Sequence, residues 1–345
     1  LGLNNIEILE GLFKNPRILI EGPPGSGKTT LAKAFIDKQQ NKRGIYLCWN
    51  NLLMHFTKSA LKERNLLNNI EVTTFFSFFQ NLNPHLSFNQ LSQLNEDEFY
   101  DLVKSTILIL TDGKKIQPYD FIVIDEAQDF LDRGLDLFIN AFSGHKGNGL
   151  NNGNSLILYD IDQSYAKSNR NISELADLIS EYYSHFKLNE VRRSSQNPNI
   201  RKLGVEILDN TKVIIEEHFK THFPSIAVVK HKTPRDVKNH IVQTILSRIR
   251  DTKSSLTGSD CIILIESSLY RQSGGDEDNL IELLILKDVE ELTSINVGDK
   301  SNKLRYTSVL KYKGLEKKNV YLIVSNPSQL NQYELFVGVT RAILN

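Results

Sequence analysis

Cysteine is scarce in this 345-residue chain, which has only Cys48 and Cys261. Two thiols cannot staple a small secreted scaffold. Neither lies in a C-x-x-C pair, and the eight histidines show no zinc-ligand spacing, so no zinc site is expected. Both cysteines sit in apolar runs, GIYLCW and CIILIE. That is the setting of buried, reduced thiols, and the cytoplasm is the expected compartment. Net charge is missing too, because 41 basic side chains offset 41 acidic ones. Any cationic surface must be local and balanced elsewhere. Long apolar runs are also absent. Ile107–Leu110 and Phe121–Ile124 fall far short of the roughly 18–20 residues that cross a bilayer, so no membrane partner is expected. No signal-peptide pattern opens the chain, and Leu1 in place of Met is what a processed chain or fragment shows. No serine sits in a nucleophile elbow.

What is present is ordinary soluble-protein material. Forty per cent hydrophobic and 24% charged residues exclude disorder, collagen and coiled coil as global descriptions. The length predicts two domains.

The first quarter alternates in period. Arg17–Gly22 and Gly44–Trp49 read as buried strands, and Glu71–Phe75 as a third. Lys28–Gln40 reads as a helix, and Asn50–Arg64 as another opened by its asparagine. Such alternation predicts an α/β fold with parallel sheets flanked by helices. Residues 80–118 read as a small helical insertion, with a helix over Asn95–Leu110. The sheet resumes at Tyr119–Asp125, and a helical pattern runs on through Phe142. Gly144–Asn154 is rich in glycine and asparagine and reads as a loop. Ser155–Asp160 and His185–Arg193 read as further strands. A second set of elements starts at Pro224–Lys230. It comprises helices at Pro234–Arg250, Asp276–Glu290 and Gln329–Leu344, with strands at Asp260–Glu266, Arg305–Leu310 and Asn319–Ser325. The expected domains are therefore 1–215 and 216–345.

Between the first strand and the first helix stands GPPGSGKTT: Gly22, Pro23, Pro24, Gly25, Ser26, Gly27, Lys28, Thr29 and Thr30. It fits G-x-x-x-x-G-K-[ST], the phosphate loop. The glycines let backbone N–H groups turn inward onto phosphate oxygens, and the helix aims its positive end at the same anion. Lys28 supplies a point charge to the β- and γ-phosphates. Thr29 offers a hard oxygen suited to Mg²⁺. A glycine turn with a surface lysine has the same letters, but the strand before and the helix after favour the phosphate loop.

Phe121–Asp129 reads FIVIDEAQD, four apolar residues and then two carboxylates. An isolated dry acid at a strand end costs several kcal/mol. A divalent cation and water account for the pair. Asp125 is expected to hold Mg²⁺, and Glu126 to act as general base on the attacking water.

With DEAQD in place, the strings that follow resemble superfamily 1 helicases of the UvrD/Rep-like group. Tyr159–Gln163 (YDIDQ), Leu188–Ser194 (LNEVRRS), Ser308–Glu316 (SVLKYKGLE) and Phe336–Ala342 (FVGVTRA) look like its later motifs, in family order. Leu47–Leu53 and Thr73–Ser77 resemble its strand-contacting motifs. The resemblance implies two RecA-like domains with ATP in the cleft between them. It also implies hydrolysis-driven stepping along single-stranded DNA, with RNA as the alternative strand and 3′-to-5′ as the direction. By resemblance, Gln163 lies between γ-phosphate and strand, and Arg193 and Arg341 stabilise the γ-phosphate. Glu316, beside Gly314 in the KGLE turn, contacts the ribose. Arg192 stands where the family has tyrosine, and its planar guanidinium can stack on adenine. Val191, Ser308, Leu310 and Phe76 also depart from the family's polar residues.

The family's large helical insertions are small or absent here. That layout resembles helicase-like ATPases fused to, or working beside, a nuclease. It implies the alternative to a free motor, an ATP-driven switch that controls a partner. Single-strand contacts are expected among Trp49, His55, Phe56, Phe75, Phe76, Phe78 and Phe79, where base stacking competes with core packing. Lys58, Lys62 and Arg64 read as a solvated face or a phosphate track, and so does the run Lys311, Lys313, Lys317 and Lys318.

Overall fold

The computed structural model describes residues 14–342 apart from 40, 145–146, 161–176, 178, 189–197, 210–226, 228, 252–253, 272–278, 286, 300 and 326–331. The chain forms two compact units that divide between Val191 and Arg192. The sequence places that division at 215/216. The helix Pro198–Asp209 packs on Gln332–Val339, which associates it with the C-terminal unit.

The N-terminal unit is built on a six-stranded sheet. Its strands are β1 (Arg17–Glu21), β2 (Gly44–Cys48), β3 (Ile70–Thr74), β4 (Phe121–Ile124), β5 (Ser155–Tyr159) and β6 (Ser184–Lys187). The order is β3-β2-β4-β5-β1-β6, and every pairing is parallel. β2, β4 and β5 are buried along their whole length, which is why they read as unbroken apolar runs. Around the sheet lie α1 (Lys28–Lys38), α2 (Asn51–Lys62), α3 (Phe75–Leu82), α4 (Phe88–Gln93), α5 (Glu96–Asp112) and α6 (Leu135–Phe142). Asn50 caps α2 by accepting from Leu53 N at 2.9 Å. Asn95 and Glu98 form a reciprocal capping box on α5. The insertion is therefore α4 and α5, following the end of α3.

Phenylalanines fill the space beside the sheet. The Phe75 ring stacks on Phe130 at 4.8 Å and meets Phe79 edge-on at 5.1 Å. Phe78 meets Phe138 edge-on at 5.1 Å. Residues 144–154 are not loop throughout, because Gly149–Asn152 makes a helical turn. The predicted strand at 185 is Ser184–Lys187, and residues 189–193 lie outside the described set.

The C-terminal unit carries β7 (Cys261–Ile265), β8 (Glu290–Glu291), β9 (Arg305–Ser308) and β10 (Asn319–Ile323) in the order β10-β7-β9-β8, all parallel. Its helices include α7 (Pro198–Asp209), α8 (Pro234–Ile241), α9 (Leu280–Ile285) and α10 (Gln332–Val339). Thr233 and Asp236 box the start of α8, which runs on through a π turn at Val242–Leu246 to Arg250. The helix predicted for Asp276–Glu290 is α9 over Leu280–Ile285; Glu290 is already in β8, and residues 276–278 and 286 lie outside the described residues. Residues 224–226, where the second set of elements is expected to start, lie outside the described residues. Among the described residues no helix is long and apolar enough to cross a membrane.

Candidate nucleotide site

β1 ends at Glu21 and α1 begins at Lys28, with the glycine-rich turn between them. Gly25 and Gly27 have φ of 79° and 98°, in the left-handed region that strains side-chain-bearing residues. A Cβ on Gly27 would meet nothing within 4 Å, so its backbone borders open space rather than packed protein. A Cβ on Gly22 would fall 2.6 Å from Ser26 Oγ and 3.1 Å from Leu188 Cβ, so the start of the turn is tightly packed. Gly22 N donates to Tyr159 O at 3.1 Å, which ties the start of the turn to β5. Ser26 N donates to Pro23 O at 3.2 Å. Lys28 is buried, and its ammonium donates to Gly22 O at 2.5 Å and Pro23 O at 3.1 Å. Pro24 and Thr29 are half-buried, and Thr30 is exposed.

The acidic strand end comes up beside this turn. Thr29 Oγ1 donates to Asp125 Oδ2 at 3.3 Å. The Tyr46 hydroxyl, fully buried on β2, donates to the same oxygen at 2.5 Å. Asp125 Oδ1 accepts from Glu126 N at 3.1 Å. Glu126 follows with φ of 58°, an unusual conformation for a residue with a side chain. Buried Gln128 donates through Nε2 to Glu126 Oε2 at 2.6 Å, and its Oε1 accepts from Asp160 N at 3.0 Å. The carboxylate pair is thus fixed from β2 on one side and from the end of β5 on the other.

Burial and the neighbouring Glu126 charge push the Asp125 carboxyl up, to about 6, although the Tyr46 hydrogen bond and the Lys28 charge pull the other way. Burial first, and then the Asp125 charge, push the Tyr46 phenol and the Cys48 thiol well above their usual ranges. Tyr46 is therefore a neutral hydrogen-bond donor at neutral pH.

The residues fit a polyphosphate with a divalent cation. Ser26 Oγ is buried with no hydrogen-bond partner among the described residues, beside a turn whose glycine faces open space. Thr29 and Asp125 are adjacent hard oxygen donors of the kind Mg²⁺ takes. Lys28 could exchange its two loop carbonyls for phosphate oxygens.

Nothing in the sequence marks Tyr46 or Gln128 as part of the site. Gln128 is one letter of DEAQD, and the string alone gives it no role. Tyr46 is one apolar-looking letter of GIYLC, and nothing local signals its contact.

In the C-terminal unit, Gly314 has φ of 83° at the KGLE turn, and Glu316 is half-buried. Arg341 is buried. Its Nε donates to Val337 O at 3.1 Å and its Nη2 to Thr340 Oγ1 at 3.2 Å. Gln163, Arg192 and Arg193 lie outside the described residues. Each lysine of the basic run has an internal contact. Lys311 lies 3.6 Å from Glu291, Lys313 5.5 Å from the Tyr333 ring centroid, Lys317 2.8 Å from Ser259 O, and Lys318 2.7 Å from Asp260. Phe75, Phe78 and Phe79 are core. Phe56 is 38% exposed with Lys33 over its ring, while half-buried Trp49 packs on Phe76 and Phe130. Lys58, Lys62 and Arg64 are exposed.

No curated protein sequence matches the chain. Among solved structures, the Pif1 helicase from Candida albicans is similar at 12% identity and a TM-score of 0.54, over 100% of this chain and 92% of that one. Bacteroides Pif1 bound to ssDNA is similar at 10% identity and a TM-score of 0.46, over 99% of this chain and 90% of that one. At such identities the first likeness is one of fold, that of RecA-like helicase domains. Residues 16–234, which hold the glycine-rich turn and the acidic strand end, match the model of Schlafen group 3, DNA/RNA helicase domain. That match spans more than half of the chain, which therefore belongs to the Schlafen group 3 DNA/RNA helicase domain family and has the superfamily 1 helicase fold.

Proposed function

We propose that this protein is a Mg²⁺-dependent ATP hydrolase that moves on single-stranded nucleic acid, DNA before RNA, in the 3′-to-5′ direction. One observation carries the hydrolase reading: Thr29 Oγ1 and Asp125 Oδ2 lie 3.3 Å apart beside the glycine turn, with Glu126 next in the chain. The Schlafen group 3 helicase family supports the nucleic-acid part. The Candida relative, a helicase by name, supports it by fold. The finer UvrD/Rep-like assignment rests on the motif strings alone.

Each residue has a role in this reading. The glycine-turn amides and Ser26 Oγ receive phosphate oxygens, and Lys28 places its charge on the β- and γ-phosphates. Thr29 and Asp125 hold the cation. When bound, Mg²⁺ neutralises charge on the β- and γ-phosphates. Glu126 takes a proton from the attacking water, and Gln128 holds its carboxylate in place. Arg193 and Arg341 stabilise charge on the γ-phosphate, and Gln163 reports its presence to the strand. Arg192, Gly314 and Glu316 surround the nucleoside.

The internal partners of Lys311, Lys313, Lys317 and Lys318 favour a second reading. A run engaged inside its own unit is a poor phosphate track, and an ATP-driven switch acting on a partner nuclease needs none. ATP turnover with and without single-stranded DNA separates the two. Stimulation of about tenfold or more supports the motor. Turnover indifferent to nucleic acid but responsive to a protein supports the switch. Absence of Mg²⁺-dependent turnover under every condition overturns both.

A further inference from the structure

A second surface lies at the other end of β4 from Asp125. α5 buries Phe99, Val103 and Thr106 along one face. Its sequence continues as Ile107-Leu108-Ile109-Leu110, more apolar surface than one buried face can use. Leu108 is left 55% exposed. It borders a groove of about 730 Å³ between α5, α6 and the segment leading into β4, whose floor includes Ile116, Leu137 and Ala141. Ile116 precedes β4, and Tyr119 N donates to Phe142 O at 2.7 Å where α6 ends. Four strand residues, about 13 Å at the usual rise, then separate this end from Asp125.

Among the described residues, the charged side chains lining the groove are Lys104 and Lys114. Both are exposed, and neither forms an ion pair among the described residues. In this they differ from the lysines of 311–318. An apolar trough between two helices, edged by two uncommitted cations, suits an amphipathic helix with carboxylates along its flanks. We infer that the α5–α6 groove is a docking site for an acidic amphipathic helix of another protein. The inference goes beyond the hydrolase reading and does not depend on it.

Fluorescence anisotropy with two labelled helical peptides tests this. One is built of Leu and Glu with Leu at i, i+3, i+4 and i+7, and the other carries Lys in place of Glu. The Leu/Glu peptide should bind at least about tenfold more tightly than the Leu/Lys peptide. Lys104→Glu combined with Lys114→Glu should reverse that preference. Leu108→Glu should weaken Leu/Glu binding about tenfold or more, with no change in melting temperature, because the side chain is exposed. Equal affinity for the two peptides, or no binding of either, overturns the inference. A dimer in sedimentation that Leu108→Glu dissolves also overturns it, because the occupant is then a second copy of this chain.

Discussion

The hydroxyl of Tyr46 lies 2.5 Å from Asp125 Oδ2, the oxygen that Thr29 also reaches. One carboxylate atom therefore joins β2, β4 and the first turn of α1. Tyr46 is fully buried, so its hydroxyl has no water to fall back on. Tyr46→Phe should keep the packing and remove the donor. The expected loss is about 1.5–3 kcal/mol of stability, as for other hydrogen bonds to charged groups. Urea denaturation measures it, and an unchanged midpoint would deny the bond any weight.

Lys28→Ala and Glu126→Gln should each slow ATP turnover by about two orders of magnitude or more. They should differ in binding. Glu126→Gln keeps the phosphate loop and should bind ATP normally, whereas Lys28→Ala should bind it weakly. Steady-state turnover together with a fluorescent-nucleotide titration checks both. Near-normal turnover in either variant defeats the assignment.

Burial first, and then Glu126, raise the Asp125 carboxyl to about 6 from an ordinary 3.8. The folded state thus holds this proton more tightly than the unfolded state does. Its stabilising contribution is complete below about 3.8 and is lost as pH rises through about 6. Without Mg²⁺, Asp125→Asn should lack that slope, so the stability difference between wild type and variant should change as pH rises from about 3.8 through about 6. Parallel urea midpoints for the two across this window would show that the group does not titrate as described.

Arg341→Ala should slow turnover more than it weakens ATP binding, because a charge on the γ-phosphate matters most in the transition state. The variant should also melt lower, since the guanidinium is buried and bonded to Val337 O and Thr340 Oγ1. Calorimetry alongside single-turnover kinetics separates the two effects. Equal losses in binding and rate would remove the γ-phosphate role.

Phe75→Ala and Phe56→Ala should part company. Phe75 is enclosed by Phe79, Phe99, Phe130 and Phe138, and its truncation should cost about 3–5 kcal/mol. Phe56 is exposed enough to stack on a base, and its loss should weaken single-stranded DNA binding about tenfold with the melting temperature unchanged. Thermal melts and a DNA titration on both proteins decide between core and contact.

Sequence alone determined the glycine-rich turn, the acidic strand end and the parallel α/β plan. Each depends on contiguous residues: glycines that set their own backbone, a helix that starts beside them, strands buried on both faces. Tertiary structure alone decided what meets those residues. Tyr46 reaches Asp125 across 79 positions, and Gln128 reaches Asp160 across 32. Of seven aromatics with the same local reading, packing sent Phe75, Phe78 and Phe79 inside and left Phe56 out. It also paired Lys318 with Asp260 while leaving Lys104 and Lys114 uncommitted beside a groove. Local chemistry is written in neighbouring letters. Which distant side chain supplies a hydroxyl, a ring face or a counter-charge is fixed only when strands far apart in sequence become adjacent in the sheet.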